Sequence, residues 1–247
     1  MSFIQNVYDN PTFFEGYKQL RQGDQGFNNQ LEQPAIRSLL PEVKGKTALD
    51  IGCGFGDFCY FLSTQGIKEV IGLDPSEKMI TEAKQLHSND RITYQCCSAE
   101  SAVVEANQFD FVFSSLALHY IEDYAAIVRK VAKCLKPQGY FLFSVEHPVC
   151  TANPFAKIKI DENSTEFFPV YNYRDEQQFH QTWFIEGVQK YHRTISTYVN
   201  TLLQNCFSLC ALLEPMPTDE MIEKRPAFAV HKIRPPLLII KAQLSGK

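Results

Sequence analysis

One stretch of the chain concentrates residues able to hold a charged ligand: Ala48-Leu49-Asp50-Ile51-Gly52-Cys53-Gly54-Phe55-Gly56-Asp57. An apolar run ends in three glycines at alternate positions, bracketed by two carboxylates. Glycines let a backbone turn tightly and approach a ligand, and a helix starting just after them offers unpaired N–H groups to a carboxylate or phosphate. Two ligand classes suit such a turn. A dinucleotide site asks for Gly-x-Gly-x-x-Gly, the third glycine letting helix pack on strand. Here that place is Asp57, and a glycine stands one residue early at Gly56. Asp50 and Asp57 would also repel a pyrophosphate. A ligand carrying an ammonium and a sulfonium meets no such penalty. A second acid agrees with it. Asp74 closes the run Val70 to Leu73, about twenty residues past the first glycine, where a carboxylate can accept from both hydroxyls of a ribose.

The elements that must carry these residues alternate. Strands are expected at Thr47 to Ile51, Lys68 to Leu73, Ile92 to Cys97, Phe109 to Ser114 and Tyr140 to Val145, the last entered through a turn at Pro137 and Gly139. Helices are expected at Asp57 to Gln65, Pro75 to His87 and Tyr124 to Leu135. That rhythm predicts an α/β fold, a doubly wound and mostly parallel sheet with right-handed crossovers. Ahead of it, Phe13, Phe14, Tyr17 and Leu20 recur at helical spacing, and Pro34 to Leu40 forms a second helical piece beyond Gly23 and Gly26. After Glu146 the rhythm breaks. His147 to Gln189 shows no period but is crowded with aromatics, as a lid or insert after the fifth strand would be. Alternation at Tyr191 to Tyr198 suggests a strand, followed by a helix at Val199 to Cys206 and strands at Phe207 to Leu213 and Pro236 to Gln243, which bring the sheet to seven strands.

Four blocks, Leu49 to Gly56, Gly72 to Met79 (GLDPSEKM), Phe109 to Tyr120 (FDFVFSSLALHY) and Leu135 to His147 (LKPQGYFLFSVEH), resemble in order and spacing the class I S-adenosylmethionine-dependent methyltransferases. The likeness is to the small-molecule branch, type 11-like, with a Rossmann-like fold. The glycine block and Asp74 are specific as a pair; the other two blocks support them. The resemblance implies one domain over residues 1–247: an N-terminal helical cap 1–45, a cofactor-binding core 46–146, a substrate insert 147–190, and C-terminal strands and helix 191–247. It implies S-adenosylmethionine as cofactor and S-adenosylhomocysteine as product. Gly52, Cys53, Gly54 and Gly56 would line the methionine portion, with Asp50 near its amino group. Asp74 would hold the ribose, and Pro75, Ser76 and Met79 would lie beside the adenine. An acid usual after the third strand is replaced here by Ser98, followed by Ala99 and Glu100. Ser114, Ser115 and Leu116 would floor the sulfonium. Tyr17 and Arg21 resemble a pair on an N-terminal helix that closes over the cofactor.

Ligands of open α/β sheets sit at the carboxyl ends of the strands. The residues just past strands four and five, His119, Tyr120, Glu146 and His147, therefore face the methyl acceptor. Histidine suits proton acceptance near neutral pH, so His119 and His147 are the candidate bases, with Glu146 able to orient either. A carboxylate acceptor would need none. Tyr171, Tyr173, His180, Trp183, Tyr191, His192 and Arg193 are the candidate substrate contacts, the last two for an acidic group.

The balance of the chain bounds the rest. A length of 247 residues with 45% hydrophobic and 21% charged side chains is enough for one large core. A net charge of -4 offers no attraction to phosphate backbones, so no nucleic-acid partner is expected. The start of the chain lacks a signal-peptide layout and no apolar run could span a bilayer, which suggests a cytoplasmic protein without a membrane partner. The 8 cysteines are scattered, without metal-ligand spacing, and read as reduced structural thiols with no metal. Two other functions remain open here. One is a nicotinamide-dependent oxidoreductase, disfavoured by Asp57 and by the absence of a Tyr-x-x-x-Lys. The other is a binding protein that keeps the cofactor fold without turnover. Neither the substrate, the methylated atom nor the oligomeric state follows from these patterns.

Overall fold

The computed structural model describes residues 5–23 and 27–246. Gly26 and residues 1–4 lie outside the described residues, so the expectations placed on them find no counterpart. Helix α1 (Pro11–Gln22) starts where the Asn10 side chain accepts the N–H groups of Thr12 and Phe13 and a proline takes the first helical position. A π-helical turn (Asn28–Glu32) leads into α2 (Gln33–Ser38). The core then alternates as expected through β1 (Thr47–Ile51), α3 (Asp57–Thr64), β2 (Glu69–Asp74), α4 (Glu77–Leu86), β3 (Ile92–Cys96), β4 (Phe109–Ser114), α5 (Tyr124–Cys134) and β5 (Leu135–Glu146).

The fifth strand is longer than the expected Tyr140 to Val145. Its register breaks opposite β4 between Phe109 and Phe111, where Gln138 takes φ 65°. Pro137 and Gly139 thus make a bulge inside an extended run instead of a turn before it. The insert carries more order than its aperiodic sequence suggests. A short helix α6 (Pro148–Thr151) is followed by the hairpins β6 (Lys159–Ile160) with β7 (Glu166–Phe167) and β8 (Gln178–Trp183) with β9 (Ile185–Tyr191). The strand expected over Tyr191 to Tyr198 is not formed. Tyr191 ends β9, and α7 (Ile195–Gln204) begins at once because the Thr194 side chain accepts the Thr197 N–H. Ile195, Tyr198, Val199 and Leu202 then share one apolar face on the core, and helical spacing outweighs the short alternation. The chain closes with β10 (Phe207–Leu213), α8 (Asp219–Lys224), α9 (Val230–Ile233) and β11 (Leu237–Leu244).

The seven-stranded sheet runs β10-β11-β5-β4-β1-β2-β3, parallel except for the two pairings made by β11. Strand order reverses between β1 and β4, which opens a crevice at their carboxyl ends. Each face has its own core. Phe111 and Phe113 of β4 pack with Phe58 and Leu62 of α3, the Phe58 and Phe113 rings stacked 3.6 Å apart. Val112 turns to the other face, against Val128 and Val131 of α5 and Tyr198 of α7. Among the described residues no helix is long and apolar enough to cross a membrane.

Candidate active site

The crevice at the strand reversal holds a cavity of about 510 Å³ lined from one end by the β1–α3 turn and from the other by β9. Gly54 lines it with φ 53°, and a Cβ built there would meet nothing within 4 Å. The turn therefore leaves room where any side chain would intrude, in a conformation few other residues adopt. Gly52 serves a different end, since a Cβ there would stand 2.5 Å from that of Ala117 in the loop after β4. Gly56 precedes α3, packed against the Tyr94 hydroxyl, and is not part of the lining.

The two acids of the core are held differently. Asp74 accepts the N–H of Gly54 at 3.0 Å and of Ser76 at 2.9 Å, which clamps the glycine turn to the end of β2. Burial pushes its carboxyl up to about 6 despite those two donors. Among the described residues Asp50 accepts just the Cys59 thiol, at 3.3 Å, and its buried Oδ1 has no partner. Burial pushes it up to about 7. An orphaned buried carboxylate oxygen at a cavity wall suits a cationic ligand group that would supply the missing hydrogen bond. Asp57, counted above as a second acid facing the ligand, is already engaged: Arg21 donates to it at 2.6 Å and His87 sits at 3.0 Å.

The chain ahead of the sheet roofs this end. Tyr8, Tyr17 and Arg21 line the cavity. Asp9 accepts the Ser76 hydroxyl at 2.6 Å and the Lys78 N–H at 3.1 Å, pinning the roof to the start of α4. Gln5 exchanges two hydrogen bonds with the backbone of Gln189, pinning it to β9. Glu32, wholly buried, accepts the hydroxyls of Ser115 and Ser144 and the side chain of Asn28. Leu116, beside Ser115, is held at φ 50° by its N–H bonds to Ser144. A left-handed leucine costs about 1–3 kcal/mol, and such strain gathers at functional sites.

Most of the sequence-selected cofactor residues meet here: Tyr17, Arg21, Asp50, Gly52, Cys53, Gly54, Asp74, Pro75, Met79, Ser98, Ala99, Glu100, Ser115 and Leu116. Ser76 and Ser114 do not face the cavity. The Ser76 hydroxyl caps α4, and that of Ser114 donates to the Ile51 carbonyl at 2.9 Å. Strand alternation turns Ser114 away while the next residue turns in.

At the opposite end stand His119, Tyr120, Glu146, Trp183 and Tyr191. His119 is buried, its Nδ1 accepts the Glu146 N–H at 3.4 Å, and its Nε2 lies 3.9 Å from the Glu146 carboxylate. Burial pushes its imidazole down to about 4. Burial alone would raise Glu146, but His119 and Lys190 beside it hold it below its ordinary value. His147 is elsewhere. Its Nδ1 accepts the Val149 N–H and its Nε2 meets Glu214 at 2.6 Å, so it caps α6 and is no candidate base.

Several substrate candidates are also displaced. The guanidinium of Arg193 donates to the carbonyls of Leu118, Ile121 and Glu122, and His192 is fastened between Thr151 and the Tyr173 carbonyl. Both are buried structural ties rather than anion receptors. The Tyr173 hydroxyl accepts the Ile195 N–H, while Tyr171 and His180 are exposed, and none of these three lines the cavity. Residues missed in the sequence take their place in the lining, namely Tyr8, Gln181, Gln189 and Lys190, while Glu32, also missed, is buried behind Ser115 and Ser144. Only Lys190 left a trace there, as a charge in an otherwise aromatic stretch.

The comparisons with known proteins agree with this geometry. Residues 49–143 match the family model for a methyltransferase domain. A Haemophilus influenzae protein of uncharacterised function is 35% identical over 246 residues, 96% of this chain and 96% of that protein. A crystal structure of an S-adenosylmethionine-dependent methyltransferase from Mesorhizobium loti is 37% identical, with a TM-score of 0.82 over 89% of this chain and 99% of that one. A Listeria monocytogenes structure, whose assignment to the same class is provisional, is 39% identical, with a TM-score of 0.79 over 87% of this chain and 98% of that one. Nicotinamide-dependent oxidation is thereby set aside: an α/β sheet with an acid-walled glycine turn, matched over 87–89% of the chain by such relatives, places this chain in the family of S-adenosylmethionine-dependent methyltransferases.

Proposed function

We propose that this enzyme methylates a small molecule bound beside its cofactor in the one cavity. The observation that carries the reading is continuity: Asp50 and Asp74 at one end and Tyr120, Glu146 and Lys190 at the other line the same space, under a roof of Tyr8, Tyr17 and Trp183. Among the described residues six lining carboxylates (Asp50, Asp57, Asp74, Glu100, Glu122 and Glu146) stand against two cations, Arg21 and Lys190. A nucleic acid would meet repulsion there.

The residues present fit the cofactor. The free Asp50 oxygen would receive its amino group and Arg21 its carboxylate, with Gly52, Cys53 and Gly54 along the methionine chain. Asp74, already oriented by two N–H groups, would take the ribose hydroxyls. Pro75, Met79, Ser98, Ala99 and Glu100 would enclose the adenine, and Ser115 and Leu116 would lie under the sulfur. When bound, S-adenosylmethionine supplies an electron-poor methyl group. The chain's own task is alignment: Tyr8 and Tyr120, their ring centres 6.3 Å apart, both line the space that must bring acceptor and methyl group together. His119, neutral and turned toward Glu146, orients the acceptor end in this reading and is not a strong base.

The test is transfer of labelled methyl groups to a cell extract divided by ultrafiltration. Label confined to the filtrate supports the proposal. Label on retained protein or nucleic acid overturns it.

A further inference from the structure

The acceptor end of the cavity holds one cation that the cofactor end does not use. Lys190 is 2% exposed and lies on β9 facing the crevice. Its Nζ donates to Glu146 and, at 3.1 Å, to the side chain of Gln181. The ammonium stands 5.6 Å from the centre of the Tyr120 ring and 5.3 Å from that of Trp183. Two of its three N–H groups have acceptors among the described residues; the third has none. Desolvating a lysine is expensive, and one carboxylate, one amide and two ring faces hold this one in place.

Charge counts the same way. Within contact of Lys190 stands one carboxylate, Glu146, and the neighbouring imidazole of His119 is neutral near pH 7. A bound sulfonium adds a positive charge. Immediately around Lys190 the balance is then one positive charge in excess, which an anion complements and an ammonium does not, while the other lining carboxylates of the described residues, Glu122 among them, make no ion pair with it. No strong base faces it either, since His119 Nδ1 already accepts the Glu146 N–H, burial disfavours a second proton on its imidazole, and the Glu146 carboxylate is occupied by Lys190. A nucleophile suited to this space arrives without a proton to lose.

We propose that the acceptor is a small oxyanion, a carboxylate or an acidic enol or phenol, whose charged oxygen sits against Lys190 Nζ and is the atom methylated. This rests on the small-molecule reading above. A lone pair of that oxygen forms the new O–CH3 bond while the S–CH3 bond breaks and its electron pair stays on sulfur. The sulfonium and the oxyanion are both neutralised and no proton moves. Loss of the oxyanion removes the attraction to Lys190, which favours product release.

The experiment divides the small molecules of a cell extract on an anion-exchange resin. Each fraction is incubated with the enzyme and methyl-labelled S-adenosylmethionine, and products are identified by mass spectrometry. Label is expected on oxygen, in the retained fraction. Release of volatile label by mild alkali then marks an ester and distinguishes a carboxylate from an enol or phenol. Lys190→Met should lower transfer by about tenfold or more through the acceptor's KM, with S-adenosylhomocysteine binding by calorimetry unchanged within about twofold. Lys190→Arg should retain part of the activity. Because Lys190→Met leaves Glu146 half-buried and without its ammonium, the double variant with Glu146→Gln removes both charges; it should bind S-adenosylhomocysteine and still fail to transfer. Acceptors found only in the unretained fraction, label on nitrogen or carbon, or full transfer by the double variant would each overturn the oxyanion. Label on no small molecule in either fraction, with S-adenosylhomocysteine bound normally, overturns the small-molecule reading and this inference with it.

Discussion

The two ends of the cavity are built on different principles. The cofactor end comes from consecutive strand–turn–helix units, and its polar groups are backbone amides and two buried acids on neighbouring strands. The acceptor end is assembled from distant pieces: Tyr8 ahead of the first helix, His119 after β4, Glu146 at the tip of β5 and Lys190 on a hairpin of the insert. One end is a local device, legible as a motif. The other is a set of long-range contacts, and its charges make sense only as partners. The lesson is that a shared cofactor can be served by a contiguous turn, whereas acceptor choice is left to segments free to vary independently.

That contrast can be broken in order of effect. Glu146→Leu should be the most damaging, because it strands a buried ammonium. A cost of about 3–5 kcal/mol corresponds to a fall of about 6–20 °C in Tm, read by calorimetry. A change of only a degree or two would show that water reaches Lys190 and that the pair is not sealed. Asp74→Ala should act on the other end alone, weakening S-adenosylhomocysteine by about 100-fold, or about 2.7 kcal/mol. Affinity left intact by isothermal titration would place the ribose elsewhere.

A pH series sharpens the comparison without a mutation. Burial raises Asp50 to about 7 and Asp74 to about 6, so the folded chain holds these protons more tightly than the unfolded one. Their contribution to stability is therefore greatest at low pH and is lost as pH rises through the ordinary carboxylate range toward about 7. A ligand ammonium reverses the preference by favouring the ionised form. S-adenosylhomocysteine should thus bind more weakly below about pH 7, approaching tenfold per pH unit, about 1.4 kcal/mol. Its stabilising shift in Tm should be larger at about pH 8 than at about pH 5.5. A flat profile in titration calorimetry would remove Asp50 from the ligand. The smallest effect should come from His147→Ala: about 1 kcal/mol of stability from a lost cap and a half-exposed ion pair, with cofactor affinity unchanged. A large loss of binding would return His147 to the site.

How far the chain could be read follows the range of the interactions. From β1 to β5 nearly every element falls where periodicity places it, because the central strands β1 and β4 are largely buried runs and α4 and α5 carry their own side-chain caps. The insert was misread for the converse reason. Residues Gln178–Trp183 and Ile185–Tyr191 pair with each other, and polar Gln181, Gln189 and Lys190 take cavity-facing positions, which breaks the apolar alternation a half-exposed hairpin would otherwise show. Histidine was the least legible residue type. His119, His147 and His192 look interchangeable in sequence, yet one lies at the cavity, one caps α6 and one ties β9 to the insert.

Sequence alone carries the strand–helix rhythm, the glycine turn with the acid that closes β2, and the family resemblance, since these depend on neighbours a few residues apart. Only the tertiary structure decided that Asp57 is neutralised by Arg21, that His192 and Arg193 are internal ties, and that Lys190 meets Glu146 across 44 positions of chain. A buried charge has no signature of its own along a sequence. What it can do depends on the partner that folding brings to it and on the water that folding removes.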